Sequence, residues 1–174
     1  MPIYRYQWIF AASIVLSLLL GACQPEIQGA PTGQSQTTNG SPSDEALTCE
    51  PTAPDSLGPF YESDAPIRDR VGEGYVLIGS VLSAQDCLRI TDAQVELWLA
   101  GPDGEYRDDY RATLFSNDQG EYRFESHFPP PYGGRPSHIH IRVTAPGFQE
   151  LVTQHYPAAG DEEARFDLVM TSEQ

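Results

Sequence analysis

Downstream of residue 49 no helical period of useful length appears, but apolar and polar side chains repeatedly alternate with a period of two. Tyr75 to Leu82 is an apolar run bounded by Gly74 and Ser83. In Ala93 to Ala100, Val95, Leu97 and Leu99 share one face, with Glu96 and Trp98 on the other. Glu121 to Phe128 alternates Tyr122, Phe124, Ser126 and Phe128 with mostly charged residues. Ser137 to Val143 puts Ile139, Ile141 and Val143 on one face, and Leu151 to Tyr156 and Arg165 to Met170 complete the set. Turn-forming stretches separate them: Gly101-Pro102-Asp103-Gly104, Asn117-Asp118-Gln119-Gly120 and Ala145-Pro146-Gly147. Short strands with frequent turns predict an all-β domain, an antiparallel β-sandwich, running from about Cys49 to Met170.

The first third of the chain has a different pattern. Trp8 to Leu20 is an apolar run broken only by Ser13 and Ser17, preceded by Arg5. It has the length of a signal-peptide core and is short for a membrane span. It ends at Leu20-Gly21-Ala22-Cys23, which resembles the lipobox of bacterial lipoproteins. The resemblance implies a signal peptide over 1–22 and lipid on Cys23; an ordinary secretory signal is the alternative. With Gln24 after the cysteine, it implies an exported protein held on the cell envelope, at the outer membrane if the host has two. Residues 23–48 are rich in Gln, Thr, Ser, Gly and Pro and predict a flexible polar tether.

Composition narrows the function. The 174 residues hold 25 acidic against 10 basic side chains, a formal net charge of -15, and every basic residue is arginine. Such a chain repels phosphate backbones, which argues against nucleic-acid partners, and it offers no basic patch to anionic lipid, leaving the N-terminal lipid as its membrane contact. Without lysine there is no Schiff base and no P-loop. Beyond Cys23, Cys49 and Cys87 remain. In an exported domain we expect them to form a disulfide, two buried thiols being the alternative.

The chemistry concentrates in Pro129-Pro130-Pro131-Tyr132-Gly133-Gly134-Arg135-Pro136-Ser137-His138-Ile139-His140-Ile141. In a strand, His138 and His140 project from one face, opposite Ile139 and Ile141. Two adjacent imidazoles can chelate Zn, Cu, Fe or Ni, although such pairs more often serve packing or surface roles. Tyr132 precedes the pair, and Gly104-Glu105-Tyr106 supplies a second phenol. Two tyrosines and two histidines form a plausible four-ligand set for ferric iron, because a high-charge cation favours the hard phenolate. Taken singly, each tyrosine reads equally well as a core residue with a bonded hydroxyl.

At this point the chain resembles the intradiol ring-cleavage dioxygenases, the family of protocatechuate and catechol dioxygenases. The landmarks fall in order: Gly58-Pro59-Phe60-Tyr61, Ala93-Gln94-Val95-Glu96-Leu97-Trp98, Gly104-Glu105-Tyr106, Asp118-Gln119-Gly120-Glu121-Tyr122-Arg123-Phe124, Pro131-Tyr132, Arg135-Pro136-Ser137-His138-Ile139-His140 and Thr153-Gln154-His155-Tyr156. The resemblance implies the β-sandwich of that family's catalytic core and an Fe(III) cofactor. Its iron ligands would be Tyr106, Tyr132, His138 and His140, with Tyr106 the ligand that leaves and acts as base. Arg135 and Gln154 match the family's active-site arginine and glutamine. The implied substrates are a catechol and O2, cleaved to a muconate-type diacid.

Three departures stand out. Gly134 occupies a position where the protocatechuate enzymes often carry tryptophan, the stretch from Tyr106 to Asp118 is short, and a signal and tether stand where catechol dioxygenases have a helical domain. The competing readings are a lipid-anchored, non-catalytic β-sandwich binding module, a dioxygenase fold that has lost activity, and a zinc hydrolase built on the two histidines.

Overall fold

The computed structural model describes residues 48–173, and the expected signal peptide, Cys23 and nearly all of the tether lie outside them. Eight strands form two sheets. They are β1 (Tyr75–Ser83), β2 (Gln94–Trp98), β3 (Arg111–Phe115), β4 (Glu121–Ser126), β5 (Ile139–Thr144), β6 (Leu151–His155), β7 (Glu163–Arg165) and β8 (Leu168–Met170). One sheet runs β3-β2-β5-β6, antiparallel throughout. In the other, β1 pairs with antiparallel β4 on one edge and with parallel β7 and β8 on the opposite edge.

The core lies between the sheets, where alternate residues meet. Tyr75, Leu77 and Val81 of β1 and Tyr122 and Phe124 of β4 are buried with Val95, Leu97, Ile139, Ile141 and Val143 of the facing sheet. Each fully buried aliphatic or aromatic side chain contributes roughly 1.5–3 kcal/mol of transfer free energy.

The expected strand over Arg165 to Met170 is two strands. Val76 pairs with Glu163 and Val81 with Leu168, so the register is the same on both sides of the break. Between them the carboxylate of Asp167 replaces a backbone acceptor and takes the Ser80 N–H at 2.8 Å. Gly79 permits this, since a Cβ there would overlap the Phe166 carbonyl oxygen. Strand β3 was not expected. Ala112 and Leu114 face the core while Arg111 and Thr113 are buried on the other side, so the polar/apolar contrast that marks a half-buried strand is missing.

The outer face of the β3-β2-β5-β6 sheet is covered by the segment over 52–68. It starts along β6, where the Asp55 N–H donates to the Val152 carbonyl at 2.9 Å. It crosses β5 at Gly58 and β2 at Tyr61, whose ring meets Trp98 at 5.1 Å. It ends on β3, where the Thr113 N–H donates to the Pro66 carbonyl at 2.8 Å. This covering explains why Glu96, Trp98, His140 and Gln154 are buried although they point away from the core. Cys49 and Cys87 form a disulfide across 38 residues, with Cα atoms 5.3 Å apart, tying the start of this segment to the turn after β1.

Candidate metal centre

Strand register builds the floor of the site. Trp98 of β2 and Gln154 of β6 lie directly opposite His140 of β5, so the three side chains form a row under the covering segment. Trp98 stacks on the His140 imidazole, centroids 5.0 Å apart and planes within 4°. Gly58 adopts φ +74°, and a Cβ there would come within 2.8 Å of His140 Cε1. The imidazole is thus clamped by an indole against its face and by a backbone close to its Cε1. Burial, with the neighbouring His138 second, pushes the His140 pKa down to about 4, while the Ser56 carbonyl acts in the opposite sense. A neutral imidazole is the form that binds metal. Its Nδ1 is buried and makes no hydrogen bond to another described residue.

His138 sits just before β5 and meets His140 at 4.8 Å between centroids. Its Nδ1 lies 2.7 Å from the Pro136 carbonyl oxygen. A carbonyl only accepts, so Nδ1 carries a hydrogen, and in the neutral ring Nε2 is the nitrogen left with the lone pair. That Nε2 lies 3.3 Å from the Tyr106 hydroxyl. Tyr106 and Tyr132 approach edge to face at 5.3 Å, and Phe60 of the covering segment stacks on Tyr106 at 4.4 Å while meeting Tyr132 edge-on at 5.4 Å. Burial first, then the neighbouring Tyr132, raises the Tyr106 pKa to about 12, with Arg135 opposing.

The two phenols and two imidazoles singled out in the sequence therefore converge on one place. Among the described residues no group of three or more His, Cys, Asp or Glu side chains is placed to hold a metal. The phenols of Tyr106 and Tyr132 are the neighbouring side chains that can add protein donors to His138 and His140. Hard phenolate oxygens suit a high-charge cation such as Fe(III), so the donor set fits ferric iron better than zinc.

Arg135 and Gln154 adjoin the cluster. The Arg135 guanidinium donates from Nη2 to Gln154 Oε1 and to the Tyr156 hydroxyl, each at 2.7 Å, and has no carboxylate partner among the described residues. Tyr156 donates in turn to Asp55 at 2.8 Å, and the Gln154 amide donates to the Ser56 carbonyl at 2.5 Å. Tyr132 and Arg135 are joined by a two-residue turn whose backbones bond mutually, at 2.9 Å and 3.2 Å. Gly133 at φ +58° and Gly134 at φ +78° provide the two left-handed residues such a turn demands.

The family model for dioxygenases matches residues 61–174. The chain belongs to the dioxygenase family. A chlorocatechol 1,2-dioxygenase from Cupriavidus pinatubonensis is 31% identical over 150 residues, covering 67% of this chain and 59% of the relative. A catechol 1,2-dioxygenase from Candida albicans is 31% identical over 140 residues, covering 59% of this chain and 46% of the relative. The dioxygenase domain of a dioxygenase carbohydrate-binding protein fusion from Streptomyces sp. SirexAA-E superposes with a TM-score of 0.65 at 25% identity, covering 71% of this chain and all of that domain. The chain thus spans about half the length of the curated relatives it matches, and with the domain-sized neighbour it shares the whole β-sandwich.

Sequence reading placed the four donors, Arg135 and Gln154 in one neighbourhood, and the fold brings them there. It assigned no role to Phe60, Trp98, Asp55 or Tyr156. The motifs around Phe60, Trp98 and Tyr156 carried a signal for three of them. Asp55 had none, because its contact depends on where the covering segment runs.

Proposed function

We propose that this chain is a non-heme Fe(III) intradiol dioxygenase, cleaving a catechol between its two hydroxylated carbons. The carrying observation is the convergence of Tyr106, Tyr132, His138 and His140 in a member of the dioxygenase family. These four residues would hold the iron, which supplies Lewis acidity toward both catechol oxygens and tunes the ring toward O2. Tyr106 Oη would be the acceptor of one catechol proton, a role its raised pKa of about 12 suits. Tyr132 would be the second phenolate holding the ion. Arg135, permanently charged and oriented by Gln154 and Tyr156, stabilises negative charge developing on the substrate. Phe60 and the covering segment keep water from the face of Tyr106. Both atoms of O2 enter the ring-opened product, so the diacid keeps every carbon and hydrogen of the catechol and gains both oxygens.

The test is turnover of catechol under O2 labelled with the heavy oxygen isotope, followed by oxygen uptake and product mass. One O2 consumed per catechol and a diacid carrying both labelled atoms support the reading. An iron-loaded protein that consumes no oxygen with any simple catechol leaves a dioxygenase fold without the activity.

The same reading places the domain outside the cytoplasm, lipid-anchored through Cys23 after removal of residues 1–22. The apolar run ending in Leu20-Gly21-Ala22-Cys23 supports it, and a disulfide in the folded domain suits an oxidising compartment.

A further inference from the structure

Seven of the nine arginines among the described residues are ion-paired with carboxylates. Arg68 is engaged instead by the Arg111 carbonyl at 2.7 and 2.9 Å. Arg135 is the remaining guanidinium, and it has no carboxylate partner among the described residues although the Asp55 carboxylate stands one hydroxyl away. In a chain with a net charge of -15 that exception has a local cause, and the cause is Tyr156.

Gln154 and Tyr156 are two residues apart at the end of β6, so both side chains leave one face of the sheet and meet Arg135. The Tyr156 hydroxyl lies 2.7 Å from Arg135 Nη2, 2.8 Å from Asp55 Oδ2 and 3.0 Å from Gln154 Oε1. A guanidinium only donates, so the hydroxyl oxygen accepts from Arg135, and its one hydrogen goes to Asp55, the nearer and charged acceptor. The Ser56 N–H, and then the Tyr156 hydroxyl, holds the Asp55 carboxyl below its ordinary pKa. Burial, and then the bond to Asp55, raises the Tyr156 phenol above its own. At neutral pH the carboxylate is therefore charged and the phenol keeps its hydrogen. Asp55 is also fixed in place: its N–H donates to the Val152 carbonyl at 2.9 Å, and its Oδ1 accepts the Ser56 N–H at 2.6 Å.

A charged carboxylate thus stands behind the arginine, held off by a single oxygen atom. Gln154 and Tyr156 both bind Nη2, so Nε and Nη1 of Arg135 keep their hydrogens unengaged by described side chains. A direct pair with Asp55 would set a full negative charge against the guanidinium and weaken what it offers to charge developing on a substrate.

We propose that Tyr156 is a positioning residue whose hydroxyl is a spacer: it holds Arg135 beside Gln154 and keeps Asp55 from pairing with it. The inference rests on the proposed catechol cleavage, in which Arg135 faces the substrate. The test compares the iron-loaded full chain with its Tyr156→Phe and Tyr156→Phe/Asp55→Asn variants in catechol turnover, together with a crystal structure of Tyr156→Phe. The expected result is a kcat at least about tenfold lower in Tyr156→Phe at unchanged iron content, recovered to within about threefold of the parent when Asp55 is also made neutral. In the crystal, Arg135 and Asp55 should come within about 4 Å of each other. Parental turnover in Tyr156→Phe, a double variant as slow as the single one, or an Arg135 that stays apart from Asp55 would overturn the spacer role. A parent chain that cleaves no catechol removes the activity, and the Arg135–Asp55 distance in Tyr156→Phe then decides the spacer by itself.

Discussion

At the scale of single residues, His140 shows how much of the site is made by its surroundings. Its imidazole is held neutral by burial and packed against the Trp98 indole and the Gly58 backbone. Gly58→Ala would place a methyl group against the ring and force a left-handed alanine. We expect at least a tenfold loss of iron affinity and a stability loss of about 1–3 kcal/mol, read by metal titration and denaturant unfolding. Unchanged iron affinity would show that the clamp does not position His140. His138→Ala or His140→Ala should remove iron altogether. Arg135→Ala should retain iron yet lower kcat by about 10²–10³, since a donor aimed at developing charge is typically worth that much. Parental turnover in that variant would contradict its role.

Histidine burial also sets a pH dependence. His140 and His155 both have pKa values depressed by burial, and His155 Nε2 lies 2.6 Å from the Tyr75 hydroxyl. In the unfolded chain both titrate near 6.5, so between there and about 4 the unfolded state binds more protons than the folded one. The metal-free protein should therefore lose stability as pH falls from about 6.5 toward 4. Urea midpoints measured across that range check this, and a midpoint that stays flat or rises on acidification would contradict it.

At the scale of elements, the covering segment and the row Trp98–His140–Gln154 do the positioning. An apolar run marked β1, and period-two alternation marked β2, β4, β5 and β6 closely, because alternate residues of those strands face the core. It failed at β3, where both faces are buried, and at β7–β8, where Asp167 replaces one backbone acceptor and breaks the strand. The donors were legible because Tyr106, Tyr132, His138 and His140 sit in local motifs. The clamp was not: the approach of Gly58 to His140 joins residues 82 positions apart, and no local period encodes it. The disulfide closes this element. Cys87→Ser should destabilise the domain by about 2–4 kcal/mol, the range for losing a cross-link around a loop of this length, with a matching fall in Tm. A change below about 0.5 kcal/mol would show that the cross-link does little for the covering segment.

At the scale of the whole molecule, the proposal is that an export signal and a tether precede the β-sandwich, which is the part the structure describes. Lipidation is checked by the mass of the mature N-terminal peptide: Cys23 carrying acyl chains is the expected result, and cleavage elsewhere or an unmodified Cys23 would contradict anchoring. Stable membrane attachment needs two or more chains, at roughly 0.8 kcal/mol per buried methylene.

The central claim is a ferric centre on two phenolates and two imidazoles. It is tested most directly by the metal content and visible spectrum of the full chain purified after iron-replete expression. The account requires about one iron per chain and a red to burgundy tyrosinate-to-Fe(III) charge-transfer band that disappears in His138→Ala and shifts in Tyr132→Phe. A colourless protein holding stoichiometric zinc would contradict it.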